Sequence, residues 1–462
     1  MQEFAKVRKS VLSIVQELRR YITFLGAERA AGRDIAKLIG GTISAQIIIV
    51  IATPIITRLY TPGDLGVLGV FVSVSGILGV AACMRYDLAI MLPKSDEDSI
   101  NLVVSSCAIA LFTSIILLVS LWMFREIGGD LFDFDLNLIW TCLVPAGVLI
   151  LGIANAFSTW QSRKKQFNRL ALGRIMRALV LVGSQIVLRW EADPIGDGAA
   201  LITAQLVADT ILVLVLADGI LEFAQSHANL RSFNHYKRLI KRYKKFPFFS
   251  VWGGLFNRSA AYLPQLMFAF LFDLEVVGFL LVSQKLVGMP VSVVGEGVSR
   301  VFFQKATEYR NEGRPVHIML SIVLIGLFIL SISILGILSM AAPYLIVPLL
   351  GQEWVKVGRY IQILAPMYAF KFSASPVSQL AIVFEKQERF LLWQVAYMTV
   401  SIVSIVIGSV LGGAEEALVG YSISGCCMYA YLIGLCMKWA GGRIMEIFVY
   451  AKRGLSEGAK AA

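Results

Sequence analysis

The chain is poor in charge. Only 16% of its 462 residues are Asp, Glu, Lys or Arg, against about 25% in soluble proteins. That shortage excludes an ordinary water-soluble globule. Histidine occurs three times, at His227, His235 and His317. All three fall in or beside loops, poorly placed for a catalytic triad or a metal site. No Walker A loop is present, which excludes nucleotide hydrolysis by that route. Cysteine is scarce too. Cys83, Cys107, Cys142, Cys426, Cys427 and Cys436 lie in apolar segments without CxxC or metal-ligand spacing. They read as small buried hydrophobes. No catalytic residue, metal or cofactor is expected, and no enzyme.

What is abundant is apolar sequence: 57% of residues are hydrophobic and the mean hydropathy is +0.73. Apolar runs long enough to cross a bilayer as helices recur along the chain. They cover 36–57, 65–84, 100–122, 136–157, 172–190, 199–218, 248–271, 276–299, 317–339, 358–382, 390–411 and 416–437. The expected fold is an all-α polytopic membrane protein with twelve spans. The stretch Ala341–Gly351, with Pro343 and Pro348, reads as an interfacial turn rather than a span.

Charge placement orients these spans. With both termini inside, the inner segments hold 34 Lys and Arg and the outer loops hold 5. The net charge of +11 is therefore mostly a topology signal, and nothing in it points to nucleic acid. Residues 1–34 read as a basic amphipathic segment on the cytoplasmic membrane surface. Residues 35–222 make a first set of six spans, 223–246 a basic cytoplasmic linker, 247–440 a second set of six, and 441–462 a cytoplasmic tail. Six spans each give the halves one orientation, as parallel repeats have. A faint internal echo agrees. Gly40-Gly41, Pro54, an acidic turn and Gly66 are followed in the second half by Gly253-Gly254, Pro264, an acidic turn and Gly278.

Three cations, Arg258, Lys285 and Lys371, remain within spans of the second half. At 1.5 Å per residue they lie about 14–20 Å from a span end, in the middle third of a core about 30 Å thick. An arginine there costs about 2.5–3.5 kcal/mol on insertion scales. Asp209 is the one acid at that depth, and it suits a salt bridge or an ion-coupling role. It can pair with only one cation. The rest point to a cationic cavity for an anionic substrate, with Asn257 beside Arg258. Asn155, Gln185, Gln205, Gln265, Gln284, Ser373 and Gln379 are candidates either to line that cavity or to join helices by hydrogen bonds.

Several stretches resemble one family. They are "GTISAQIIIVIATPIITRLYTPGDLGVLGVF", "RYDLAIMLPKSDEDS", "YKKFPFFSVWGGLFNRSAAYLPQLMFAFLF", "GQEWVKVGRYIQILAP" and "SPVSQLAIVFEKQE". The chain resembles Wzx-type polysaccharide flippases of the MOP superfamily over roughly residues 36–440. That resemblance implies two six-helix bundles around a central cavity. It implies a multi-pass protein of the bacterial inner membrane that exports undecaprenyl-diphosphate-linked oligosaccharides for O-antigen, capsule or exopolysaccharide synthesis. Membrane lipids, a polysaccharide polymerase and a chain-length regulator are the implied partners. Family members use lumenal basic residues for the anionic lipid, and Arg258, Lys285 and Lys371 fit that role. Arg58, Arg85 and Asp87 fall in family-like motifs at span ends, where fixing loop geometry is the alternative. The competing function is a MOP-type antiporter for another solute or a drug.

Overall fold

The computed structural model describes residues 31–132, 138–190, 197–220 and 233–442. Most of the amphipathic N-terminal segment, half of the linker and nearly all of the tail lie outside the described residues. Among those described there is no strand, and twelve helices of seventeen residues or more follow one another. They are α1 (Ala31–Leu59), α2 (Pro62–Leu78), α3 (Asp96–Phe132), α4 (Leu138–Arg163), α5 (Phe167–Trp190) and α6 (Asp197–Ala217). Then come α7 (Val251–Leu271), α8 (Leu274–Asn311), α9 (Val316–Leu350), α10 (Val355–Val377), α11 (Gln387–Leu411) and α12 (Ala414–Trp439). Each holds one apolar run of the sequence. Nine are long and apolar enough to cross a membrane. Three fall short of that measure. α2 has seventeen residues, and α7 and α10 carry Arg258 and Lys371 among their apolar residues.

The outward faces are apolar. Ile51, Trp252, Met340, Tyr344, Val410 and Leu411 are all more than 60% exposed. In water such a surface would aggregate; in lipid it is the solvated face. Two cysteines share it. Cys83 and Cys436 are buried as expected and Cys107 and Cys426 half-buried, but Cys142 and Cys427 are exposed.

Several boundaries differ from the sequence reading: α3 and α8 run on to Phe132 and Asn311, and two other differences change the local architecture. The first is at α2, which stops at Leu78. Turns then carry the chain to Met84 and Arg85, both in left-handed backbone at φ 47° and 61°. A short helix, Tyr86–Ala89, follows. The second is Ala341–Gly351, which is no turn: α9 continues through Pro343 and Pro348 to Leu350. A proline removes the hydrogen bond to the carbonyl four residues earlier. The carbonyl freed by Pro343 is that of Ser339, and Gln362 Nε2 donates to it at 3.3 Å. At the helix end, Arg58 donates to the Pro348 carbonyl at 2.8 Å. A cation there also complements the negative end of the helix dipole. Remote side chains thus satisfy the carbonyl that Pro343 frees and one at the end of helix α9.

Helices α1 to α6 pack among themselves, as do α7 to α12. The two sets meet mainly where α2 lies along α7 and α8, with further contacts from α1 to α8 and α9. At the outer ends, by the charge-derived orientation, the contact is backbone to backbone. A Cβ on Gly66 would stand 1.9 Å from the Leu274 carbonyl oxygen, and one on Gly278 would stand 1.9 Å from that of Pro62. The two contacts are exchanged with an equal step of four residues on each helix. Gly66 and Gly278, paired in the sequence echo, therefore occupy equivalent places on either side of one crossing. Trp354 fastens the same end, donating from Nε1 to the Thr57 carbonyl at 2.8 Å.

Candidate functional site

Between these helices lies a cavity of about 180 Å³. Its walls come from α2 (Phe71, Ser75, Gly76), α4 (Gly147, Leu151, Asn155), α5 (Arg177), α6 (Gln205, Asp209) and α7 (Arg258, Tyr262). It is thus a recess in the first set of helices, closed by one helix of the second. Small residues create it. A Cβ on Gly76 would lie 2.7 Å from the Tyr262 ring, so glycine at this position lets α2 and α7 approach.

Asp209 is buried at 5% exposure. Arg177 forms an ion pair with it from the neighbouring helix, and Gln205 Nε2 donates to its second oxygen at 2.9 Å. Both carboxylate oxygens are therefore occupied within the first set of helices. Arg177 went unnoticed in the sequence because it lies within eight residues of Arg169 and Arg174 and was absorbed into the inner-side charge. The available signal was its spacing: Arg177 lies five residues inside the run 172–190, about 7.5 Å from its end at 1.5 Å per residue.

Arg258 is exposed into the cavity and makes no ion pair or hydrogen bond among the described residues. Together Arg177, Asp209 and Arg258 carry one net positive charge. The cavity surface also holds the neutral polar groups of Asn155, Gln205, Ser75 and Tyr262. Such a wall can take the place of water around an anion without neutralising it beforehand. Nothing in it suits a nucleophile or a metal, and no group of three metal-binding side chains occurs among the described residues.

Lys285 and Lys371 do not line this cavity. They sit on α8 and α10, which pack together, and both are half-buried. Lys371 Nζ lies 4.8 Å from the centre of the Tyr368 ring, a cation–π contact. Tyr368 in turn reaches α8 one turn from Lys285, since a Cβ on Gly288 would meet its ring at 3.4 Å. The two lysines therefore border a common region of the second set of helices, apart from Arg258. Of the other polar candidates, Asn257 is exposed, and the Gln185 side chain is buried while its main-chain carbonyl accepts from the Tyr60 hydroxyl at 2.7 Å. Ser373 donates to Ala369 one turn back. Gln265 packs against Gly69 at the crossing of α2 and α7.

Below the cavity, towards the expected inner side, Asp87 is buried at 6% exposure. Burial raises its pKa above the usual carboxylate value, against the opposing pull of Arg85 and of nearby backbone amides. The two residues form no ion pair within 4.0 Å, and Arg85 Nε is buried without a hydrogen-bond partner.

The sequence matches a family model described as polysaccharide biosynthesis protein over residues 55–359. No curated protein matches the chain. Solved structures share the fold at low identity. A multidrug resistance MATE family transporter of the MOP superfamily, in its inward-facing conformation, is 14% identical with a TM-score of 0.67, over 88% of this chain and 96% of that one. The lipid II flippase MurJ, inward closed, is 13% identical with a TM-score of 0.66, over 90% and 91%. A MOP superfamily transporter from Pyrococcus furiosus, described as having a binding pocket of reverse polarity, is 13% identical with a TM-score of 0.58, over 90% and 95%.

Proposed function

The chain belongs to the polysaccharide biosynthesis protein family, and on that footing we propose that it is a flippase for undecaprenyl-diphosphate-linked oligosaccharide repeat units. It would carry them from the cytoplasmic to the outer leaflet of the bacterial inner membrane, with both termini and the basic linker on the cytoplasmic side. The observation that carries this reading is Arg258, an unpaired guanidinium on the wall of an internal cavity whose acid is already taken by Arg177. A lipid-linked diphosphate brings about two negative charges, which lipid alone cannot solvate. Arginine offers it a planar fork of donors. The prenyl chain would stay in lipid while the head group passes between the two sets of helices. Lys285 and Lys371 would offer further positive charge to the sugar-diphosphate as it moves, and Asn257 a hydrogen bond. A chain polymerase and a chain-length regulator are the partners such a pathway needs.

An antiporter for cationic drugs is the alternative among proteins of this fold. It would need an unpaired carboxylate in the cavity, whereas Asp209 has both oxygens engaged. The test is surface polysaccharide in a strain that depends on this chain. Arg258→Gln is expected to abolish it while leaving the protein in the membrane, and Arg258→Lys to restore part, since an ammonium keeps charge without the fork. Full polysaccharide from Arg258→Gln would refute the assignment.

A further inference from the structure

The unpaired cation on the cavity wall has a neighbour from the other set of helices. Helix α7 has glycine at position 254, one turn before Arg258. A Cβ there would lie 2.7 Å from Val80 Cγ1 and 3.3 and 3.4 Å from Arg85 Nε and Cζ. Arg85 Nε and Cζ therefore lie against the bare face of Gly254, beside Val80, which is itself a wall of the cavity. The residues that place it there are unusual. Arg85 and Met84 hold left-handed backbone that only glycine adopts without cost. Its Nε is buried with nothing to donate to.

Helix geometry puts Arg258 on the face of α7 that meets Arg85. Gly254 and Arg258 are four residues apart, so they share a face about 6 Å apart along the axis. Side chains on a helix lean towards its N-terminus. Arg258 thus leans over the turn that begins at Gly254, towards the place Arg85 occupies. Asp87, two residues further along the chain, makes no ion pair with Arg85, and burial favours its neutral form.

We propose that Arg85 and Arg258 form a two-arginine clamp for a diphosphate, one guanidinium from each set of helices, with Gly254 as the bare floor between them. The proposal rests on the reading of the cavity as a lipid-diphosphate site and deepens it. Each fork takes one phosphate, so Arg85 is the group that distinguishes a diphosphate from a monophosphate. Because the two arginines belong to different sets of helices, the anion would also tie those sets together at the inner end until it moves outward.

The test uses the purified full-length protein in detergent micelles and two soluble probes, farnesyl diphosphate and farnesyl monophosphate, titrated by calorimetry. The wild type is expected to bind the diphosphate more tightly. Arg85→Gln should weaken diphosphate binding about tenfold and leave monophosphate binding within about threefold, the scale of one charge-assisted contact. Arg258→Gln should weaken both. Gly254→Val, which drives a side chain into the place of Arg85, should reproduce the effect of Arg85→Gln on the ratio. Arg85→Lys should fall between. If Arg85→Gln misfolds by size-exclusion chromatography, the Lys and Gly254→Val variants decide the matter. An unchanged ratio of diphosphate to monophosphate in these variants, with Arg258→Gln still impaired, would overturn the clamp and spare the flippase reading. A wild type that binds neither probe would overturn both.

Discussion

At the scale of single residues, the cavity illustrates how one charge can be read from sequence and another missed. Arg258 stands alone in an apolar run, so its cost in lipid marks it at once. Arg177 is equally part of the cavity, but a cluster of inner-side cations conceals it until α5 and α6 bring it against Asp209. Removing the acid alone would leave Arg177 without its partner. Asp209→Asn is expected to cost about 1–3 kcal/mol, less than a fully buried pair because Arg177 still faces the cavity. A thermal shift in detergent would measure it, and Asp209→Asn with Arg177→Gln should recover part of the loss. Transport should suffer less from Asp209→Asn than from Arg258→Gln. Asp87 makes a prediction of opposite sign. Its carboxyl has a raised pKa in the folded protein, so the folded state holds its proton longer than the unfolded chain. Stability from that proton is present at low pH and is lost as pH rises through the carboxylate range. Asp87→Asn should therefore gain on the wild type as pH is raised, and parallel unfolding curves from acid to neutral pH would show it.

At the scale of helices, the long apolar runs were legible because lipid demands long uninterrupted hydrophobic segments, and nine helices among the described residues are long and apolar enough to cross a membrane. The helix ends were not legible. Helix α9 runs through Pro343 and Pro348, and Gln362 and Arg58, both remote in sequence, satisfy the carbonyl that Pro343 frees and one at the helix end. Helix α2 stops at Leu78 although apolar sequence continues, and no pattern in the run announces it. The glycine echo was visible in the sequence, yet its meaning appeared only in the crossing of α2 and α8. That crossing admits no side chain at either position. Gly66→Val and Gly278→Val are each expected to destabilise the protein by about 1–3 kcal/mol, the usual cost of overpacking. They should also loosen the outer contact, so that a cysteine at Thr61 reacts faster with a membrane-impermeant maleimide. A substitution of equal size at Gly253, where nothing lies within 4 Å of an added Cβ, should do neither.

At the scale of the molecule, charge asymmetry predicts sidedness. In a background without the native cysteines, a maleimide added outside should miss His235→Cys and label Ala414→Cys. The reverse pattern would invert the topology. A cationic cavity at the depth of Arg258 was an expectation of the sequence; its walls were not legible, because they come from α2, α4, α5, α6 and α7, and no local pattern encodes that convergence. Energy for export need not come from a nucleotide. An inside-negative potential drives anions outward, and two charges crossing 100 mV gain about 4.6 kcal/mol, more than a thousandfold bias. Cations that move with the substrate would reduce that gain. Export in proteoliposomes should therefore rise with a potassium-valinomycin potential at fixed pH and sodium. Insensitivity to potential with collapse on removing an ion gradient would turn attention to Asp209. The most direct measurement of the central claim is translocation of a fluorescent polyprenyl-diphosphate oligosaccharide across reconstituted vesicles, wild type beside Arg258→Gln, at equal protein content and fixed potential. The account predicts at least about a thirtyfold loss of rate in the variant, the scale of a charge-assisted bidentate contact. Equal rates in the two would contradict it.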